Sequence, residues 1–499
     1  DMTRWAFDLS EEIHNVVMLR SVTRMSHASG NLVTGDMPEK TPTPWFECSG
    51  GFMDQDTGPV LTFPTLVDSQ RRRQKAGLQK AVRLFESSPF NSYAGPADPE
   101  LLVVTSSAAH AYCREAVSLL DLKERVGILK LGTTWPLPPK LLCGHLAASD
   151  RVFVVEEGTP FLEDNVKTLC AENAAGLGIK TFYGRRDSVL PPVNELNPDV
   201  VMAGLCRIFD LEYSAMDSSY RELADQAMQA APQRELTFCP GCPHRASYWL
   251  LNEALTMDNR QGFVCGDIGC YTMGAAECGF KTVKLSMAMG SGLGMASGFG
   301  KLTQFGFDQP AVAICGDSTF FHAVMPALVN AIHNQSDVIL AVVDNSGTAM
   351  TGFQPHPGTP EGAGKQRLPA LNIPDICRAM GARVEIADPF EMDQTRAVLQ
   401  DLIYDAHGVR VLILRQACAL SPAKKAQKGF AMSVDPDICL AEGCGCNRLC
   451  TRVFKCPGLK VNLETGKASI DEVICVGCGV CASICPSGAI KALILHEIE

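Results

Sequence analysis

Twelve residues near the end of the chain constrain it most. They read Cys475-Val-Gly-Cys478-Gly-Val-Cys481-Ala-Ser-Ile-Cys485-Pro486. Two-residue spacers let three successive thiolates wrap one iron–sulfur cubane, while the fourth cysteine, lying before a proline, projects onto a second cluster. A zinc ribbon pairs two C-x2-C knuckles and has no use for a third cysteine or the proline. Cys456, also followed by proline, is expected to join Cys475, Cys478 and Cys481 on one 4Fe-4S cluster. The preceding run, Cys439-x4-Cys444-x-Cys446-x3-Cys450-x5-Cys456, has one thiol too many. Cys439 and Cys450 are expected on the other cluster with Cys485, and either Cys444 or Cys446 completes it. Such clusters accept and pass on single electrons, so electron transfer follows from the tail. What is oxidised does not.

Nine of the 22 cysteines fall between Cys439 and Cys485. The chain opens Asp1-Met2 with no basic stretch followed by an apolar one, so no secretory signal is read and a reducing cytoplasm is expected. Clustered thiols there indicate metal ligation, not disulfides. The net charge of −11 argues against nucleic acid as a partner. The longest apolar run, Val338 to Val343, is far short of a membrane span and reads as a buried strand.

The 499 residues suggest three to four domains. A helix from Trp5 to Glu12 and a short strand from Asn15 to Arg20 look like the last unit of a domain that begins before residue 1. Residues 31–75 are expected to form a linker or arm, with Arg71-Arg72-Arg73 on a solvated helix face. Residues 76–230 read as a parallel α/β domain, from the strands Leu101 to Thr105, Val126 to Leu131 and Arg151 to Glu156. Glu156-Glu157-Gly158 falls at a strand end, where such sheets place ligands, but reads first as a solvent-facing turn. A further α/β domain spans 235–420, with six strands and a helix from Thr319 to Asn334. A polar linker then leads to a cysteine-rich domain over 430–499.

Gly316-Asp317-Ser318 ends one strand of the third domain, and Asp344-Asn345-Ser346-Gly347 ends the next. The 27 residues between Asp317 and Asn345 suffice for a crossover helix. A carboxylate and a carboxamide oxygen would then meet at one sheet edge. Hard oxygen ligands of this kind suit Mg²⁺, which keeps few protein ligands when it also binds phosphate.

This pair resembles the diphosphate-binding motif of thiamine diphosphate enzymes. Three further segments resemble one branch of that superfamily: Phe238-Cys-Pro-Gly-Cys-Pro-His244, Gly266-Asp-Ile-Gly-Cys-Tyr-Thr-Met-Gly274 and Ala349-Met-Thr-Gly-Phe-Gln-Pro-His-Pro-Gly358. With the cysteine tail, the chain is similar throughout to the alpha subunits of indolepyruvate ferredoxin oxidoreductases. The resemblance implies an α/β multidomain thiamine diphosphate-binding fold with parallel sheets, carrying a C-terminal α+β dicluster ferredoxin domain.

It also implies residue roles. Asp317, Asn345 and the Gly347 carbonyl would hold Mg²⁺, beside Gly316 and Ser318. The loops with Cys239, Gly241, Cys242 and His244, and with Asp267, Ile268, Gly269 and Cys270, would line the thiamine pocket. Gly290-Ser-Gly-Leu-Gly294 would approach the cofactor, with Leu293 a candidate apolar wedge. A zinc knuckle at Cys239 and Cys242 would need two further ligands, and His244 lies close by. His356 is read as a substrate-pocket residue or part of a rigid turn, and His322 as an ordinary helix residue.

The implied reaction is oxidative decarboxylation of arylpyruvates such as indolepyruvate with coenzyme A, giving arylacetyl-CoA and carbon dioxide. Electrons would leave through two 4Fe-4S clusters to an external ferredoxin, with a small beta subunit as partner. The family's activating glutamate lies on the pyrimidine-binding domain, of which Ser21 to Gly30 resembles the end. It would precede residue 1, so this chain alone is expected to be inactive or completed by another polypeptide. Pyruvate, 2-oxoglutarate or branched-chain oxoacids are the alternative substrates. A non-catalytic iron–sulfur carrier is the alternative class.

Overall fold

The computed structural model describes residues 1–35, 63–213, 216–232, 235–405, 407–421 and 430–494. The chain divides into two compact units, Asp1–Ala231 and Pro232–Glu499.

The first unit is built on five strands: β1 (Ser92–Ala94), β2 (Leu101–Thr105), β3 (Val126–Lys130), β4 (Arg151–Val155) and β5 (Thr181–Tyr183). Their order is β1-β3-β2-β4-β5, and only the edge strand β1 runs antiparallel. Leu101 to Thr105 are all buried, as expected of a parallel strand with helices on both faces. Three expectations fail here. The segment Asn15 to Arg20 forms no strand; it is irregular chain after the helix Met2–Ile13. The helix Pro64–Phe85 runs straight across the boundary expected at residue 75, carrying Arg71 to Arg73 with it. Glu156 is no solvent-facing turn: it is 5% exposed, and its two oxygens accept the N–H groups of Leu162 and Glu163 at 2.7 and 2.8 Å. It therefore caps the helix Phe161–Glu172, a structural use of a buried carboxylate at a helix N-terminus. Much of the presumed arm, residues 36–62, lies outside the described residues.

The second unit carries β6 (Phe263–Gly266), β7 (Val283–Ser286), β8 (Ala311–Gly316), β9 (Val338–Asp344), β10 (Arg383–Ala387) and β11 (Val409–Arg415). All are parallel, in the order β10-β11-β9-β8-β6-β7. The chain moves outward from β6 to β7, then returns to lay β8 on the other side of β6. That reversal opens a crevice at the carboxyl ends of β6 and β8, where open α/β sheets bind ligands. Every residue of β8 is buried.

The helix expected over Thr319 to Asn334 forms in pieces. A π-helical turn, Phe320–Val324, precedes the regular helix Met325–His333. Pro326 is the cause: it brings no N–H, and its ring would strike the carbonyl four residues back. His322 lies on the π turn and is exposed.

The cysteine-rich tail does not stand apart. β12 (Phe430–Val434) pairs with β15 (Ile490–Ile494), and β13 (Leu459–Val461) with β14 (Ala468–Ile470), both antiparallel. Phe454, Leu459, Val480 and Ile484 share one apolar core with Tyr248, Leu251, Leu255 and Ile314 of the large sheet and its covering helix. Trp249 lies edge-to-face between Phe280 and Phe454, with both ring centroids 5.6 Å away. Burying side chains of this size stabilises the contact by roughly 1.5–3 kcal/mol each.

Candidate active site and cluster cavities

Asp317 leaves β8 as the first residue of its helix and is 3% exposed. Its Oδ1 accepts the Ser318 N–H at 2.8 Å, and its Oδ2 accepts the Gly347 N–H at 3.0 Å. The loops after β8 and β9 are thus tied together, so Asp317 and Asn345 share one site. Asn345 Oδ1 is buried and has no hydrogen-bond partner among the described residues. Its Nδ2 lies 3.5 Å from His244 Nε2. The Gly347 carbonyl accepts from Ala349 at 2.9 Å and keeps a second lone pair. A carboxylate, an orphaned amide oxygen and a half-used carbonyl are the donor set a hard cation takes.

Two histidines close the site. His244, on the first turn of the helix Pro243–Asp258, is pushed down to about 4 by burial, against the pull of Asp317. It is therefore a neutral ring at physiological pH. His356 stacks on Phe321, and its Nδ1 accepts the Gly358 N–H at 3.0 Å. With Nδ1 an acceptor, the ring proton belongs on Nε2. Nε2 lies 3.2 Å from Asp317 Oδ2 but out of line for donation, so it too is buried without a hydrogen bond among the described residues.

Asp267 follows β6 and is fully buried. Its carboxylate accepts from the Tyr271 hydroxyl and, at 3.0 Å, from the Gly290 N–H. Burial raises its pKa to about 6. It serves as a latch that fixes the glycine turn at Gly290, not as a free pocket group. Gly290 has φ +84, and a Cβ there would meet Ala323 at 2.4 Å. The Tyr271 hydroxyl also reaches Thr319 Oγ1 at 3.2 Å, coupling the Asp267–Cys270 loop to the helix of Asp317. A Cβ on Gly316 would press on the same tyrosine ring at 2.9 Å. Ile268 is 43% exposed, and the Gly269 N–H is held by Thr272 Oγ1 at 2.9 Å. Leu293 departs from expectation. It is 1% exposed and packs between its helix and the sheet with Ala313 and Phe320, so it cannot be an apolar wedge on the pocket surface. The third position of the helix Ser291–Lys301 points inward; Met287 and Met289 just before it are exposed.

Cys456, Cys475, Cys478 and Cys481 line one cavity. Pro240 and Gly241 of the Cys239–Cys242 loop complete its wall, with Phe454 and Met432. Among the described residues, no three Cys, His, Asp or Glu side chains converge closely enough for a single ion. Thiols spread around a hole suit a cubane, which is wider than an ion. Gly241 has φ +65, and a Cβ on it would fall 2.2 Å from Val476 Cγ2. Gly241→Ala is therefore expected to cost about 2 kcal/mol or more, from the positive φ and the clash together. Urea unfolding measures it, and an unchanged midpoint would show that the cluster loop does not bear on Gly241.

Cys444 Sγ lies 2.7 Å from Cys446 Sγ. Cys446 and Cys450 both stand within electrostatic reach of Cys485, whereas Cys444 feels Cys446 and Cys439.

Sequence reasoning passed over Cys418. Its N–H donates to the Asn345 carbonyl at 3.2 Å. Burial raises the pKa values of Cys242, Cys270 and Cys418, that of Cys242 to about 12, and each also feels Cys239. Cys418 in turn acts on Cys242 and Cys270. Cys270 and Cys418 thus stand within electrostatic reach of the C-x2-C loop, whereas the His244 ring is directed at Asn345.

Comparison with known proteins agrees with this geometry. Residues 267–414 match the thiamine pyrophosphate enzyme C-terminal TPP binding domain, and residues 468–491 the 4Fe-4S binding domain. The indolepyruvate oxidoreductase subunit IorA of Pyrococcus horikoshii is 32% identical over 98% of this chain and 75% of its own length. The proteins of the same name from Thermococcus kodakarensis and Methanothermobacter thermautotrophicus are 33% and 34% identical, over 99% and 97% of this chain and 76% and 74% of theirs. Thiamine and iron–sulfur domains on one polypeptide, and likeness at this level along nearly all of it, establish that the chain belongs to the IorA family of indolepyruvate oxidoreductase subunits.

Proposed function

We propose that the chain oxidatively decarboxylates arylpyruvates, indolepyruvate foremost, with coenzyme A as acyl acceptor and an external ferredoxin as electron acceptor. The observation that carries the reading is the orphaned Asn345 Oδ1 beside the Asp317 carboxylate, at the mouth of a parallel-sheet crevice. Asp317, Asn345 and the Gly347 carbonyl would hold Mg²⁺ and, through it, the diphosphate. Bound thiamine diphosphate supplies the carbon nucleophile that lets a 2-oxoacid lose carbon dioxide and release two electrons. His244 stays neutral and packs against the site without adding charge, while Tyr271 and Asp267 keep the loop of Ile268 to Cys270 in place.

Electrons would leave one at a time through the thiol sets. Cys239 and Cys418 lie within electrostatic reach of each other and of Cys242 and Cys270, and Gly241 in the same loop abuts Val476 beside the set of Cys456, Cys475, Cys478 and Cys481. This supports a cluster at the first set as the initial acceptor, in place of a zinc knuckle. The two clusters of the tail would follow, one on Cys456, Cys475, Cys478 and Cys481. The other would be on Cys439, Cys446, Cys450 and Cys485, leaving Cys444 as the extra thiol. A small beta subunit would complete the enzyme.

The test uses the complex of this chain with its partner subunit and a viologen dye. Indolepyruvate, phenylpyruvate, pyruvate and 2-oxoglutarate are supplied in turn, with and without coenzyme A. The arylpyruvates should reduce the dye fastest and yield arylacetyl-CoA. Faster turnover of pyruvate or 2-oxoglutarate would overturn the aryl assignment, and no dye reduction with any substrate would leave only an electron carrier.

A further inference from the structure

Arg245 is 2% exposed and among the largest fully buried side chains of the chain. A guanidinium cannot shed its proton to escape burial, so the charge goes in with it. Among the described residues no carboxylate pairs with it; its hydrogen bonds all go to neutral oxygens. Nη1 donates to the carbonyls of Phe454 at 2.7 Å and Lys455 at 2.8 Å, and Nη2 to Thr237 Oγ1 at 3.0 Å and the Phe238 carbonyl at 2.6 Å. The guanidinium carbon lies 5.7 Å from the ring centroids of both Phe238 and Phe454. The Nε–H has no acceptor among the described residues. One side of this fork holds the extended segment leading into the Cys239–Cys242 loop. The other holds the two residues immediately before Cys456.

A clamp of that shape explains the hydrogen bonds but not the charge. Leaving a buried cation without an anion is costly. The groups within electrostatic reach of Arg245 that become anionic on binding iron are cysteines: Cys456 most, then Cys242 and Cys239, with Cys278 also near. Two of these belong to one thiol set and one to the other. A cluster that gains an electron gains a negative charge, and a fixed cation in a water-poor site stabilises that reduced form.

We propose that Arg245 is a positioning residue that docks the cysteine-rich domain onto the thiamine domain and, by its charge, raises the reduction potential of the cluster on Cys456, Cys475, Cys478 and Cys481. This rests on the cluster assignment proposed above. In consequence, electrons arriving from the thiamine side find an acceptor held favourable at the junction of the two domains.

The experiment compares Arg245→Met and Arg245→Lys with the wild type, each in complex with its partner subunit. Iron and labile sulfide are counted, and the cluster potentials are read by redox titration monitored by electron paramagnetic resonance. In Arg245→Met the reduced fraction of one cluster at a fixed potential should fall at least tenfold, a shift of about 59 mV for a one-electron couple. Arg245→Lys should restore most of that fraction. Should the methionine variant lose iron, Arg245→Gln makes the same comparison, being neutral but still able to donate to the Phe454 and Lys455 carbonyls. A neutral variant that keeps its iron and its wild-type potentials would overturn the proposal. Wild-type protein with no iron–sulfur signal would overturn both it and the cluster assignment.

Discussion

Asp317→Ala is expected to abolish turnover and to weaken thiamine diphosphate binding in Mg²⁺ by roughly a hundredfold or more, while leaving the iron content unchanged. The carboxylate is the one anionic group among the three oxygens proposed to hold the ion, and it is almost wholly buried. Removing one partner of a buried charged contact costs about 3–5 kcal/mol, and each 1.4 kcal/mol is about tenfold in affinity. The loss is also geometric. Gly347 N–H, now held by Oδ2 at 3.0 Å, would be left without its acceptor. The loop carrying Asn345 would lose the tie that brings its orphaned Oδ1 to the site. Titration calorimetry with thiamine diphosphate at fixed Mg²⁺ measures the effect. Binding at wild-type strength would show that the ion is held elsewhere and would remove the basis for the enzyme reading. The iron content should stay unchanged because the cysteine-rich domain meets the helix Pro243–Asp258 through Trp249 and Arg245 and not through Asp317.

The parts of this site legible in the sequence are those encoded by neighbours along the chain. Asp317 and Asn345 each follow a run of buried β residues, and strand ends are visible as the place where an apolar run stops. The C-x2-C-x2-C-x3-C-P run is likewise local. What stayed hidden was proximity in space. Cys418 stands alone in its segment, yet it reaches the Asn345 loop and the electrostatic range of Cys239 and Cys270 because β11 ends beside β9 in the parallel register. Arg245 reads as an ordinary helical arginine until the tail folds over it. The two prolines flanking His356 signal a turn without saying what its ring faces. The misreadings have the same origin. Glu156 was placed correctly at a strand end, but only the fold shows that the next helix begins against it. Leu293 was assigned by analogy of position in a glycine-rich turn, whereas the side-chain direction at the third residue of a helix is set by the sheet beneath. Pro326 did announce the break at Phe320 to Val324, and its clash with the preceding turn is the signal that should have divided that helix.

Cys481→Ser separates the two halves of the reaction, and its effect should be the larger on electron transfer. Cys481 is 7% exposed and sits in the shared apolar core with Val480 and Ile484. Burial pushes its thiol pKa strongly upward. A free thiol there would stay neutral; iron displaces its proton to solvent and takes the thiolate as ligand. A serine hydroxyl, nearly the same size, keeps the packing but is a far poorer donor to iron, so folding should survive while the cluster does not. Dye or ferredoxin reduction should fall to background, with about one cluster's worth of iron missing. The thiamine site, tied by Asp317, Gly347 and Asn345, is untouched, so carbon dioxide should still be released from indolepyruvate in at least a first turnover. Carbon dioxide release and acceptor reduction are therefore measured on the same sample. If both persist at wild-type rates, electrons do not pass through the cavity of Cys456, Cys475, Cys478 and Cys481. If both vanish with thiamine diphosphate still bound, the cluster does more than carry electrons, and the contact of Gly241 with Val476 is the route by which its loss would reach the thiamine domain.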